Sequence, residues 1–187
     1  MFGSFGATEA DVRATDFYRF FHLAEAARSA PTAGSATSYR PTGPFGDLVT
    51  FAVGTAADGA IVELTLHVGR SFVEDPRNGI FARDVVASFV REAAANEGHE
   101  DGIAALLHEL WTRPLTRPQN WNHAVAYTDE NPLPPMPRRP GDFSGVFGVY
   151  CGSDAAATTR LRDTYLHVSN DNVAGVGTFT ASFTPAV

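Results

Sequence analysis

The dipeptide Asp58-Gly59 stands between two stretches that alternate apolar and polar residues, and it constrains the fold more than any other feature of the chain. Asp and Gly tolerate the positive φ angles that a two-residue hairpin turn requires. The resulting cross-strand pairs form an apolar set, Val49-Val68, Phe51-Leu66 and Val53-Leu64, and a polar set, Thr50-His67, Ala52-Thr65 and Gly54-Glu63. A slip of one residue would move Phe51 to the polar side, so the turn and the alternation predict the same register.

Apolar residues spaced by three and four predict helices on both sides of this hairpin. The first is predicted over residues 9–29, and Thr8 and Asp11 resemble a capping box at its start. A second is predicted over 80–97, and a third, shorter helix begins at Glu100. Residues 30–46 are rich in Ser, Thr, Pro and Gly without periodicity, which predicts a loop.

The C-terminal half combines a proline-rich segment with further strand candidates. Seven of the twelve prolines lie between residues 113 and 141, which predicts an extended surface crossing. Three strands are predicted after it, at 145–151, 161–168 and 176–184. Because the element order lacks βαβ alternation, we expect a single α+β domain spanning 1–187. Its predicted architecture is an antiparallel sheet, made of the hairpin plus three C-terminal strands, packed against about three helices on one face.

Composition excludes several classes of function. The formal net charge of −7 argues against binding to nucleic acid or to an anionic membrane, since both attract clustered basic residues. The chain contains no Lys, which excludes a Schiff base, a Lys general base and a phosphate-loop Lys. Arg as the sole basic residue, with abundant Ala and Gly, suggests a GC-rich bacterial genome.

The distribution of cysteine and of apolar residues predicts a cytoplasmic, soluble protein. Cys151 is the only cysteine, so no disulfide forms within the chain. The first residues lack the charged and apolar regions of a secretory signal, and no apolar run approaches the roughly 20 residues that span a bilayer.

Candidate binding residues fall into three groups, and none belongs to a motif that fixes a mechanism. Glu63 and His67 share the polar side of the hairpin, where a carboxylate could orient an imidazole. Tyr18 and His22 are predicted one turn apart on the first helix. Trp121 and His123 combine a stacking ring with a hydrogen-bonding imidazole in one loop. Each has a simpler alternative: a solvated sheet face, the rim of a core, or a loop anchor. No cofactor and no metal site are predicted.

Two functions follow from these observations. The first is a non-enzymatic binding or assembly protein, whose partner is another protein or a second copy of the chain. The alternative is a small-molecule-binding protein or small enzyme with a His/Glu pocket on a curved sheet. Convergence of the candidate side chains in one apolar cavity would favour the pocket, and their dispersal would favour the binding protein.

Overall fold

The computed structural model describes residues 7–29, 34–94, 144–152, 154–161, 163–173 and 175–185, together with 104, 106, 108 and 110. The strands are β1 (Leu23–Arg28), β2 (Ser35–Pro41), β3 (Val49–Thr55), β4 (Ile61–Gly69), β5 (Ala156–Arg160), β6 (Thr164–Val173) and β7 (Val176–Pro185). The helices are α1 (Glu9–Arg13), α2 (Asp16–Phe20), α3 (Arg70–Val73), α4 (Gly79–Ala94) and α5 (Ser144–Cys151). The four described residues between 104 and 110 are also helical.

The seven strands form one antiparallel sheet in the order β1-β2-β3-β4-β7-β6-β5. Strands β1 to β4 make one meander and β5 to β7 make another, and β4 lies beside β7 where the two meet. The predicted α+β class with an antiparallel sheet is confirmed. The sheet is larger than predicted, because β1, β2 and β5 were not expected.

The predicted hairpin is present in the predicted register. Phe51 pairs with Leu66 and Thr50 pairs with His67. The turn differs, because the Ala56 amide donates to the Ala60 carbonyl (2.8 Å) around the three residues 57–59, and Gly59 has a φ of 85°. Thr55 then pairs with Ile61 while Gly54 still pairs with Glu63. Val62 is therefore the extra residue of a β-bulge, and it restores the register that a longer turn would shift.

The predicted first helix over 9–29 is wrong beyond residue 20. Its predicted start is confirmed, with the Thr8 amide donating to the Asp11 carboxylate (2.7 Å). Thr15 then caps a separate helix, α2, by accepting a hydrogen bond from the Tyr18 amide (3.2 Å). Residues 23–28 leave the helical path and pair with β2 as a strand.

The segment predicted as a loop over 30–46 contains β2. Its side chains alternate, so that Thr37 and Tyr39 are buried while Ala36 and Arg40 are exposed. This period of two is typical of a strand with one face on the core.

The predicted strand at 145–151 is wrong, because Ser144–Cys151 is helix α5. Its buried residues Val146, Val149 and Tyr150 recur at spacings of three and four, as a helix requires. Cys151 is buried as expected, on a helix rather than a strand. The two other C-terminal strands are present as β6 and β7, and α4 and the helical residues from 104 to 110 agree with the two later helix predictions.

The core lies between the apolar side of the sheet and side chains from α2, α4 and α5. Phe51 is fully buried, and its ring lies 5.4 Å from Phe17 of α2 and 5.9 Å from Phe89 of α4, measured between centroids. Phe89 also packs edge-on against Phe183 of β7 (5.5 Å). These rings join both meanders to the helices through one continuous cluster.

Candidate functional site

The polar side of the sheet carries a dense set of hydroxyl and imidazole groups. Because side chains alternate along a strand, every residue opposite the core set lies on this side. The set includes Arg40 on β2, Thr50 on β3, Glu63, Thr65 and His67 on β4, Thr158 on β5, Tyr165, His167, Ser169 and Asp171 on β6, and Thr178, Thr180, Ser182 and Thr184 on β7. These groups form cross-strand hydrogen bonds that the hairpin alone could not provide.

His67 is half-buried near the middle of this polar side. Its Nδ1 lies 3.1 Å from the Thr180 hydroxyl on the neighbouring strand β7. Burial lowers the pKa of His67, against the opposing attraction of the Asp171 and Glu63 carboxylates. The imidazole is therefore predominantly neutral at pH 7, since its ordinary value is already 6.5.

Glu63 shares this side with His67 but has a different partner. Its carboxylate accepts a hydrogen bond from the Thr65 hydroxyl (2.9 Å), and Glu63 is exposed. In the described part of the chain no hydrogen bond joins Glu63 to His67, so the carboxylate acts on the imidazole through space alone.

A groove of about 360 Å³ opens beside His67. Its lining consists of Arg40, Asp47, Leu48, Thr50, His67, Gly69, Val173, Val176 and Thr178. Arg40 and Asp47 lie 3.4 Å apart as an ion pair, which cancels the formal charge of the two groups. Val173 and Val176, near the tip of the β6–β7 hairpin, are 43% and 52% exposed. The groove thus has a neutral, hydrogen-bonding floor and an aliphatic rim.

His167 is a polar-side residue that the sequence analysis missed. Its Nδ1 lies 3.1 Å from the Thr158 hydroxyl on β5, and its Nε2 lies 3.1 Å from the Thr184 hydroxyl on β7. The imidazole bridges three strands, with both ring nitrogens in hydrogen bonds. Its place in an alternating strand was a usable signal, but only with the register of β5 and β7 already known.

Of the remaining predicted site residues, Tyr18 and His22 are described, and neither lines this groove. Tyr18 lies on α2 and packs edge-on against Tyr39 at 5.3 Å. His22 follows the end of α2 with a φ of 47°, so the predicted pairing of Tyr18 and His22 on one helix face is wrong. The His22 carbonyl accepts hydrogen bonds from the amide and hydroxyl of Thr42, each at 3.1 Å. Trp121 and His123 lie outside the described residues.

A second polar cluster ties α1 to the edge of the sheet. The Glu9 carboxylate accepts hydrogen bonds from Tyr39, from Arg13 (2.7 Å) and from Arg28 (2.8 Å). Burial alone would raise the pKa of Glu9, but these hydrogen bonds outweigh it and lower the pKa to about 2. Glu25 completes the cluster by pairing with both arginines. The cluster pairs its charges internally, which fits a structural role.

No protein-family model, curated protein or solved structure matches this chain. Within the described ranges, no group of three or more His, Cys, Asp or Glu side chains is arranged to hold a metal ion. The described helices include none with the length and apolar character needed to cross a membrane.

Proposed function

We propose that this protein is a non-enzymatic binding protein whose groove at His67 receives an extended, uncharged segment of a partner protein. The observation that carries the proposal is the neutral groove on the polar side of the sheet. Among the described residues, the aromatic contacts of the helices lie on the apolar side, and none of these contacts covers the polar side.

The floor of the groove suits the backbone of an extended peptide. The Thr50 hydroxyl can both donate and accept a hydrogen bond, whereas the Thr178 hydroxyl donates to the Val176 carbonyl (2.9 Å) and keeps its capacity to accept. The Nδ1 of His67 contacts Thr180, so its Nε2 is the nitrogen that can donate or accept according to the tautomer. Peptide N–H and C=O groups need partners of both kinds when they leave water. Arg40 and Asp47 are the charged residues among the described lining, and because they pair with each other, the lining itself offers a charged segment no uncompensated opposite charge.

The rim supports a small apolar side chain on the bound segment. Val173 and Val176 expose aliphatic surface beside Leu48. Burying such surface stabilises a complex by about 25 cal/mol per Å² removed from water. Apolar patches rimmed by polar residues are typical of interaction sites.

The geometry around His67 does not support a nucleophilic mechanism. A hydroxyl nucleophile needs an imidazole that a carboxylate orients through a hydrogen bond on the opposite ring nitrogen. Thr180 contacts Nδ1, while among the described residues no carboxylate hydrogen-bonds to the ring. His67 is thus suited to hydrogen bonding and less suited to relaying a proton.

A small neutral ligand is the second candidate. The groove volume of about 360 Å³ falls near the lower end of the range for small-molecule sites, roughly 300–1,000 Å³. Such a ligand would use the same hydroxyls and imidazole as the peptide.

Site-specific photo-crosslinking separates these outcomes. A photoreactive residue at Val176, on the rim, is compared with one at Val62, an exposed valine outside the groove. We expect a discrete protein adduct from position 176 and none from position 62. With that partner purified, Thr178→Val removes one hydroxyl with little change of shape and should weaken binding about fivefold, the equivalent of one hydrogen bond.

Two results would contradict the proposal. Equal adducts from positions 176 and 62, or affinity unchanged in both Thr178→Val and Thr50→Val, would remove the groove as the contact. A small molecule that is retained in native mass spectrometry and lost in Thr178→Val, without a protein adduct, would support the second candidate instead.

A further inference from the structure

A second groove lies between α2 and α4 and shares no residue with the one at His67. Its volume is about 290 Å³. Its lining consists of Asp16, Phe17, Phe20, Phe21, Asp84, Ala87, Ser88, Arg91 and Glu92. The chemistry of this lining differs from that of the polar sheet face in two respects.

The first respect is an exposed aromatic ring. Phe20 is 72% exposed, although a phenylalanine gains about 1.5–3 kcal/mol when it is fully buried. Its ring packs edge-on against Phe21 with the centroids 5.0 Å apart, and Phe17 is buried beneath. Phe21 also contacts Phe17 at 5.2 Å. The ring of Phe20 is thus held by its neighbours while most of its surface stays accessible.

The second respect is an excess of carboxylates. Among the described lining residues, the carboxylates are Asp16, Asp84 and Glu92, of which Glu92 has an interaction of its own, and the one cation is Arg91. Asp84 is half-buried, and burial raises its pKa. In the described part of the chain Asp84 has no ion-pair partner and no hydrogen bond, so a cation bound there would offset the cost of its partial burial.

We propose that this groove binds an arginine side chain of a partner polypeptide. A guanidinium group stacks on an aromatic face and donates paired hydrogen bonds to a carboxylate, which matches Phe20 and Asp84. An ammonium group satisfies the charge but lacks the planar, weakly hydrated surface that stacks on a ring. The volume is that of a site for a side chain rather than for a folded element.

The test uses two peptides of nearly the same shape that differ in one group, a charged guanidinium or a neutral urea. A blocked Gly-Arg-Gly tripeptide and the same peptide with citrulline, a neutral isostere of arginine, are titrated into the ¹⁵N-labelled full-length protein. We expect millimolar binding of the arginine peptide, with shifts centred on the amides of Ala87 and Ser88. The citrulline peptide should bind at least about fivefold more weakly, because the charged hydrogen bond is lost.

Variants test whether the peptide binds in the groove between α2 and α4. Asp84→Asn and Phe20→Ala should each weaken arginine binding at least about fivefold, whereas Thr178→Val in the other groove should leave it unchanged. Asp84→Asn should not unfold the protein, because burial penalises the charge that the substitution removes. A thermal melt of each variant checks this point.

Three results would overturn the proposal. Arginine and citrulline peptides that bind equally would exclude recognition of the charge. Shifts confined to other surfaces would exclude the groove. Sedimentation could show a concentration-dependent dimer that Asp84→Asn abolishes. In that case the bound arginine would belong to a second copy of this chain and not to a different polypeptide. Because these outcomes concern α2 and α4, they leave the proposal for the His67 groove untouched.

Discussion

Phe51 packs against side chains from several helices and strands at the centre of the core, so its replacement by alanine tests the core packing directly. The ring is fully buried on β3 and contacts Phe17, Tyr39 and Phe89, which belong to α2, β2 and α4. It also pairs across the hairpin with Leu66. Phe51→Ala therefore removes contacts to four elements at once.

The expected loss can be worked from this burial. A core Phe→Ala change costs about 3–5 kcal/mol, including the cavity left behind. The three ring contacts place Phe51 near the upper end, since aromatic pairs add about 0.5–1.5 kcal/mol each beyond the area they bury. With a urea dependence of about 2 kcal/mol/M, the midpoint of unfolding should fall by about 2.5 M. If Phe51→Ala does not fold, Phe51→Leu should still lower the midpoint, by about 0.5 M.

The matched control lies on the opposite side of the same hairpin. Thr65 is 8% exposed and donates one hydrogen bond to the exposed Glu63, so Thr65→Ala should cost about 1 kcal/mol or less. Urea melts followed by circular dichroism measure both variants. Equal and small losses would refute the assignment of Phe51 to the core side.

Two further predictions concern titration. Because the pKa of Glu9 is lowered in the folded state, its stabilisation is present above pH 4.5 and is lost as the pH falls towards 2. Glu9→Gln should therefore lower the free energy of unfolding by about 1–2 kcal/mol at pH 7, a figure discounted because the arginines are exposed, and hardly change it at pH 2. As a control, Asp47→Asn should change the free energy of unfolding little at either pH. Asp171→Asn should lower the pKa of His67 further in an NMR titration, and Glu63→Gln should lower it less; a titration that neither substitution moves would contradict the assigned attraction.

The hairpin register could be predicted because two independent patterns agreed. The alternation of apolar and polar residues placed Phe51 on the apolar side of the hairpin and His67 on the polar side, and the turn residues placed the two strands opposite each other. The turn itself could not be fixed, because the positive φ of Gly59 serves a three-residue loop as well as a two-residue one. Because of the bulge at Val62, the pairs further along the strands are the same as those a two-residue turn would give.

The edge strands could not be predicted because local preference opposed them. Residues 23–28 consist of Leu, Ala, Glu and Arg, which are all good helix formers. They form β1 because Leu23 is buried and because β2 supplies the partner, which is tertiary information. The opposite error occurred at α5, where the apolar run 145–151 fits a strand or a buried helix equally well.

The candidate site was predicted as far as the hairpin reaches. The placement of Glu63 and His67 on one polar side followed from alternation and is confirmed by the register. The hydrogen bond from His67 to Thr180 joins residues 113 positions apart, and no local pattern predicts that β7 lies beside β4. The pairing of Tyr18 with His22 failed for a local reason, because α2 ends at Phe20.

The bulge at Val62 permits a test of what fixes the strand register: the separation of apolar and polar side chains onto two sides of the hairpin, or the turn. Val62 is unpaired and 41% exposed, so its deletion should leave a three-residue turn followed by an unbroken ladder, at a cost below about 1 kcal/mol. Deletion of Thr65 shortens the same strand by one residue. In the shortened strand, Leu66 can stay on the core side only if Glu63 moves into the buried position of Leu64. Burying this carboxylate should lower the free energy of unfolding by at least about 3 kcal/mol. Comparable melting curves for the two deletions would mean that the turn, rather than the segregation of sides, fixes the register.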